Sequence, residues 1–229
     1  MPTLIFYPDA DPETSSVDGY VAHSEAAGLT WAALIAAAGN QATDTSSDEP
    51  GFSITAHADT GKWLRNARGI WLFDTSSLPA TATIISATLS LFSSDKADNL
   101  NILPNINIYS ANPASNIALV GTDYPSVGSI AYCDTPISFV NLAVSGGQND
   151  FILNATGIAA IGKGTGGMTK ISTRNANYDV AGVAPAWSDP GVGLRHSMVN
   201  FISADISDPT IRPILTILAF PCSQAYIID

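Results

Sequence analysis

The chain has 229 residues, 46% hydrophobic and only 13% charged, with 9 Lys+Arg against 20 Asp+Glu for a net charge of −11. Charge at about half the roughly 25% of an ordinary domain, beside ample apolar content, excludes a disordered chain. A pI near 4.3 with four lysines gives no basic footprint for phosphates, which excludes nucleic acid as a partner, and no run approaches the ~18 apolar residues of a membrane span.

From the N-terminus, Met1–Pro8 carries no basic segment followed by a long apolar one, so it does not read as a secretory signal. The expectation is a chain made in the cytoplasm and kept there, or released by another route such as lysis or assembly into a virus particle. Next, Asp9-Ala10-Asp11-Pro12-Glu13, with Asp18-Gly19 beyond, gathers hard oxygens. Thr14 and Tyr20 stand where an EF-hand loop needs Gly and a bidentate Glu. A solvated acidic loop is expected there. A structural calcium ion on Asp9, Asp11 and Asp18 is the other reading, and no further cofactor is expected.

One segment has helical periodicity. Thr30 can cap Trp31–Ala38, where Trp31, Leu34, Ile35 and Ala38 form one apolar stripe, and Gly39-Asn40 closes it. Elsewhere the signal is period-two alternation. In Ile85–Leu91, Ile85, Ala87, Leu89 and Leu91 share one face while Ser86, Thr88 and Ser90 share the other, which predicts a strand between core and water. Similar runs are 106–109, 151–153, 170–174, 198–203 and 214–220. Ile70-Trp71-Leu72-Phe73, apolar on both faces, predicts a central strand covered on both sides. A single helical turn is expected near 157–161. Turn formers at 77–79, 111–113, 124–125, 146–147 and 208–209 separate the runs. Residues 1–229 therefore read as a single antiparallel β-sandwich domain, all-β, with one short helix near residues 30–39.

Tests for chemistry return little. Gly162–Gly167 matches GxGxxG but precedes a strand pattern instead of opening a helix, so it reads as a loop. His23, His57 and His196 lack metal-ligand spacing, and no nucleophile elbow occurs. An enzyme is not expected. Cys133 and Cys222 form no CxxC and read as free thiols, with a bridge between them the other possibility. The Asn154 sequon carries no meaning without secretion. Arg174, Asn175, Asn177, Tyr178, Asp179 and Trp187 put hydrogen-bonding and stacking side chains within fourteen residues, the chemistry of a glycan-contacting surface. The alternatives for them are packing of a long loop or a subunit interface.

The stretch Arg68-Gly69-Ile70-Trp71-Leu72-Phe73-Asp74, then Ser77-Leu78-Pro79 and Ala87-Thr88-Leu89-Ser90-Leu91, with Arg212–Ile217 near the end, resembles the DNRLRE-type domain family. That resemblance implies a jelly-roll fold of the carbohydrate-binding-module kind. Physically the motif reads as a folding signature: Asp74 accepts backbone N–H groups in a turn, Pro79 fixes the next strand's entry, and Arg68 pairs with a carboxylate such as Asp74. The segment Ile171–Val180, with Ala184–Trp187, is similar to stand-alone phage-encoded proteins. Together these imply a non-enzymatic virion structural protein (a capsid decoration, spike or fibre-associated jelly roll), forming homo-oligomers, trimers above all, beside other virion proteins. Contact with host surface glycans overlaps with this reading. The alternative is a carbohydrate-binding or adhesive module of a bacterial protein.

Overall fold

The computed structural model describes residues 2–220, and among them the alternating runs become thirteen strands, all paired antiparallel. In chain order these are β1 (Thr3–Phe6), β2 (Asp18–Leu29), β3 (Gln41–Thr43), β4 (Asp48–Ala56), β5 (Trp63–Asp74), β6 (Thr83–Asp98) and β7 (Asn105–Ala111). They continue as β8 (Val127–Ala131), β9 (Ile137–Ser138), β10 (Gly147–Ile152), β11 (Met168–Asn175), β12 (His196–Ile202) and β13 (Ile214–Phe220). Helix α1 is Trp31–Ile35 and α2 is Ala155–Ala159.

Two long strands change partners along their length and wrap the sheet into a jelly-roll-like sandwich. The first part of β6 lies between β13 and β10, and its last part pairs with β12. The first part of β5 pairs with β4 and β2, and its end with β11. The main core so enclosed includes Phe52, Trp63, Trp71, Phe73, Phe151 and Phe201, with the Trp71 and Phe201 rings edge-to-face at 6.1 Å.

The doubly apolar run of β5 has the predicted cause. Trp71 and Phe73 belong to the main core. Ile70 and Leu72 enter a second cluster with Val17, Val21, Leu119, Tyr124 and Val127.

Three local details depart from the sequence reading. Ile85 does not share the inward face of Ala87, Leu89 and Leu91. The pairing of β13 with β6 passes from Leu218↔Ser86 to Ala219↔Ile84, so Ile85 is the extra residue of a bulge and stands 44% exposed. Helix α1 is shorter than the 31–38 stripe. Thr30 caps it through Ala33 N at 3.3 Å, but Ala36 and Ala38 are exposed and bury nothing to extend it. Arg68 pairs with Asp179 and not with Asp74, whereas Asp74 does accept the Ser76 N–H at 2.9 Å.

After α1 the chain turns at Gly39, whose φ is +82° and whose absent Cβ lets the Gly121 carbonyl and Tyr124 Cβ approach. Gly39→Ala is expected to cost at least about 2 kcal/mol, read as a lowered urea midpoint. An unchanged midpoint would show that the turn relaxes freely. The 162–167 loop is tied at Gly164 N to Leu78 O (2.7 Å) and at Gly167 O to Thr75 N (2.9 Å). Cys133 is a buried free thiol, while Cys222 lies outside the described residues.

Candidate functional site

The six side chains grouped by sequence fall into two sets. After β11 the chain makes a π-helical turn, Ala176–Val180, capped by Asn175 Oδ1, which accepts from Tyr178 N at 2.8 Å. The turn carries Asp179 back beneath Arg174. Arg68, from β5, meets the same carboxylate from another direction. Each guanidinium makes a two-pronged contact with Asp179: Nε to Oδ2 at 2.8 Å and Nη2 to Oδ1 at 2.7 Å, for Arg68 and Arg174 alike. The remaining donors reach carbonyls, Arg68 those of Tyr124 and Ile35 and Arg174 those of Gly128 and Val127. The Arg68 guanidinium also lies 3.8 Å from the centre of the Tyr124 ring.

Burial alone would raise the Asp179 carboxyl. The two guanidiniums outweigh it and hold the group down at about 2. Burial raises the Tyr124 hydroxyl to about 12. Asn175, Arg174 and Asp179 are buried and their polar atoms are engaged internally. They lock the turn to the sandwich and present nothing to a glycan. Asn177 and Tyr178 tie the same turn to the 102–105 loop, through Asn105 N→Asn177 Oδ1 at 2.9 Å and Tyr178 Oη→Ile102 O at 2.6 Å. These contacts pack the turn onto the sandwich, with Asn177 and Tyr178 left half-buried.

The acidic loop is likewise self-contained. Asp9 Oδ2 accepts from Thr14 N, Ser15 N and both hydroxyls at 2.7–3.0 Å. Partial burial acts to raise its carboxyl, and those donors bring it down to about 2. Asp11 donates its N–H to Asp205 Oδ1. Asp18 is buried at the start of β2 and accepts from Ala204 N at 3.0 Å. Among the described residues no three His, Cys, Asp or Glu side chains gather to hold a metal ion, and Asp9 and Asp18 each accept from backbone N–H groups of the protein itself.

An acid that the sequence did not single out stands near Asp18. Glu49, on β4, is 1% exposed and its Oε1 has no hydrogen-bond partner. Burial, then the neighbouring Asp18 carboxylate, raises it to about 9, and burial raises Asp18 well above its ordinary value. At neutral pH Glu49 keeps its proton.

Trp187 leads elsewhere. Its indole N–H donates to His57 O at 3.2 Å, which anchors the 181–195 loop beside an open cleft of about 330 Å³. The cleft is walled by Thr55, His57, Arg195 and His196 over Ala26, Ala56 and Leu64. Pairing of β12 with β4 sets His196 opposite Thr55. His57 Nδ1 accepts the Asp59 N–H at 3.0 Å, which leaves Nε2 as the protonated nitrogen of the neutral ring. Gly28 makes room for that ring, since a Cβ at 28 would collide with it. Arg195 gives Nε and Nη2 to Asp189 at 2.6 and 2.9 Å, leaving its other N–H groups to a ligand. The lining is more apolar than polar and close to charge-neutral, with Ala26, Ala56, Ala58 and Leu64 beside the Thr55, His57, Arg195 and His196 side chains.

No family model matches the chain, and no curated protein matches it. The resemblance to the DNRLRE-type family and to phage-encoded proteins gains no support there. Among solved structures, the K1 cleaved adhesin domain of Lys-gingipain from Porphyromonas gingivalis W83 aligns over 96% of this chain and 100% of that one, with 12% identity and a TM-score of 0.29. A superposition that loose carries no argument about this chain. Among the described residues no helix is long and apolar enough to cross a membrane.

Proposed function

We propose that the chain is a non-enzymatic adhesive module of the carbohydrate-binding kind, which takes neutral glycans in the cleft of His57, Arg195 and His196. The cleft is the observation that carries the reading. Its volume of about 330 Å³ falls at the small end of ligand pockets, ~300–1,000 Å³. Arg195 and Asp189 neutralise one another, so the lining favours a polyhydroxylated neutral ligand over an anion. The N–H groups of Arg195, the imidazoles of His57 and His196 and the Thr55 hydroxyl supply the donors and acceptors that sugar hydroxyls need. The alanine and leucine floor suits the C–H face of a pyranose ring.

Affinity electrophoresis through gels holding neutral or acidic polysaccharides tests this. Retardation by at least one neutral glycan is expected, weakened at least tenfold by Arg195→Ala. Migration unaltered in every gel would overturn the reading. A structural protein of a phage particle is the second reading. The observation favouring it is the outer face of β1, β13, β6 and β10, on which Asp150 is the one charge in the three rows that cross it, and which suits subunit packing.

A further inference from the structure

We infer that the outer face of the β1–β13–β6–β10 quartet is a self-association surface whose occupant is a second copy of this chain, related by a two-fold axis. The register places four residues in one row across the strands: Ile5↔Thr216, Thr216↔Thr88 and Thr88↔Ile152. Ile5 and Ile152, at the two ends, are 54% and 67% exposed. Read from either end the row is Ile–Thr–Thr–Ile. A two-fold axis in the plane of contact lays aliphatic on aliphatic at the ends and threonine on threonine between them, which is the self-complementarity of an isologous interface.

Charge selects the same partner. The chain carries −11, so two copies repel wherever carboxylates face each other. On this quartet the flanking rows are Thr3–Leu218–Ser86 and Ile214–Ser90–Asp150. Asp150 brings the one charge in these rows, and its Oδ1 already accepts from Ser90 Oγ at 2.6 Å and Gln148 Nε2 at 2.7 Å. A cationic partner would find nothing to pair with here. A second copy of an acidic chain finds a face on which repulsion is least. Ile85 and Phe220, both more than 40% exposed, enlarge the apolar area at one end.

Four strands at ~4.8 Å spacing and about six residues deep give a plane of roughly 400 Å². A standard interface buries about 800 Å² per partner. The pair is therefore a transient one, and concentration must drive it.

Sedimentation of the whole chain from about 10 µM to about 1 mM, a range suited to small interfaces, tests the inference. The weight-average mass is expected to rise from 23.8 kDa towards twice that value, and no less in 1 M NaCl than in low salt, because no ion pair spans the face and salt screens the repulsion between two acidic chains. Ile5→Lys, Thr88→Glu and Ile152→Glu should each weaken association at least tenfold. Val140→Glu, at a site 75% exposed outside the quartet, should leave it unchanged. The three test substitutions sit on three different strands, so a folding defect in one leaves two to decide. A single-chain mass at every concentration would overturn the inference. So would association indifferent to all three variants, or a plateau at three chains. None of these results depends on whether the cleft binds a glycan.

Discussion

Replacing Asp179 by Asn is expected to destabilise the protein by about 3–5 kcal/mol, with melting lowered by roughly 10 °C. The substitution keeps the shape and removes the one carboxylate between two buried guanidiniums. Both arginines then face each other as unpaired charges in a site that is almost free of water. Arg68→Ala should cost less than Asp179→Asn, because Arg174 still pairs with Asp179 in its absence. Urea unfolding of both variants measures the order. A loss under about 1 kcal/mol for Asp179→Asn would show that the carbonyls around the guanidiniums suffice and that the carboxylate adds little.

The second large expectation concerns pH and has the opposite sign for two sets of acids. Asp179 is held at about 2, so its contribution is complete above its ordinary 3.8 and is lost as pH falls through 2. Glu49 is raised from 4.5 to about 9. Its contribution is complete below 4.5 and is lost as pH rises through 9, and Asp18 shifts the same way. Stability should therefore be greatest near pH 4 and fall towards the alkaline side, unlike the usual maximum between about 5 and 8.

General repulsion in a chain of −11 acts in the same direction, and Glu49→Gln separates the two causes. The amide cannot ionise, so the variant should melt several degrees above the parent at pH 9 and close to it at pH 4. Calorimetry across that range gives the comparison. A parent whose melting temperature climbs from pH 4 to pH 8, or a variant that tracks it throughout, would contradict the assignment.

What the sequence revealed was the part that repeats locally. The alternation of β6, the doubly apolar 70–73 run and the last strand were visible because each face is uniform along several residues. β2 and β4 were not. In β2, Val21 and Ala22 are both fully buried, so alternation is lost where the strand is covered on both sides. In β4, Pro50 and Gly51 interrupt the pattern, and Gly51 is there because the Phe201 ring occupies the space of a side chain.

The Arg174–Asp179 cluster was legible as a constellation but not as a buried one, since its third member, Arg68, lies 111 residues from Asp179. The cleft was hidden for a similar reason. His57 and His196 meet only through the pairing of β4 with β12, and each looks isolated along the chain. Trp187 alone among the six candidates adjoins it.

The most direct test of the account is to follow backbone amide shifts of the labelled protein while a neutral oligosaccharide retained in the gels is added. The account predicts saturable shifts confined to 55–58 and 187–196, absent in Arg195→Ala. Shifts centred on the 174–180 turn, or none at saturating sugar, would contradict it.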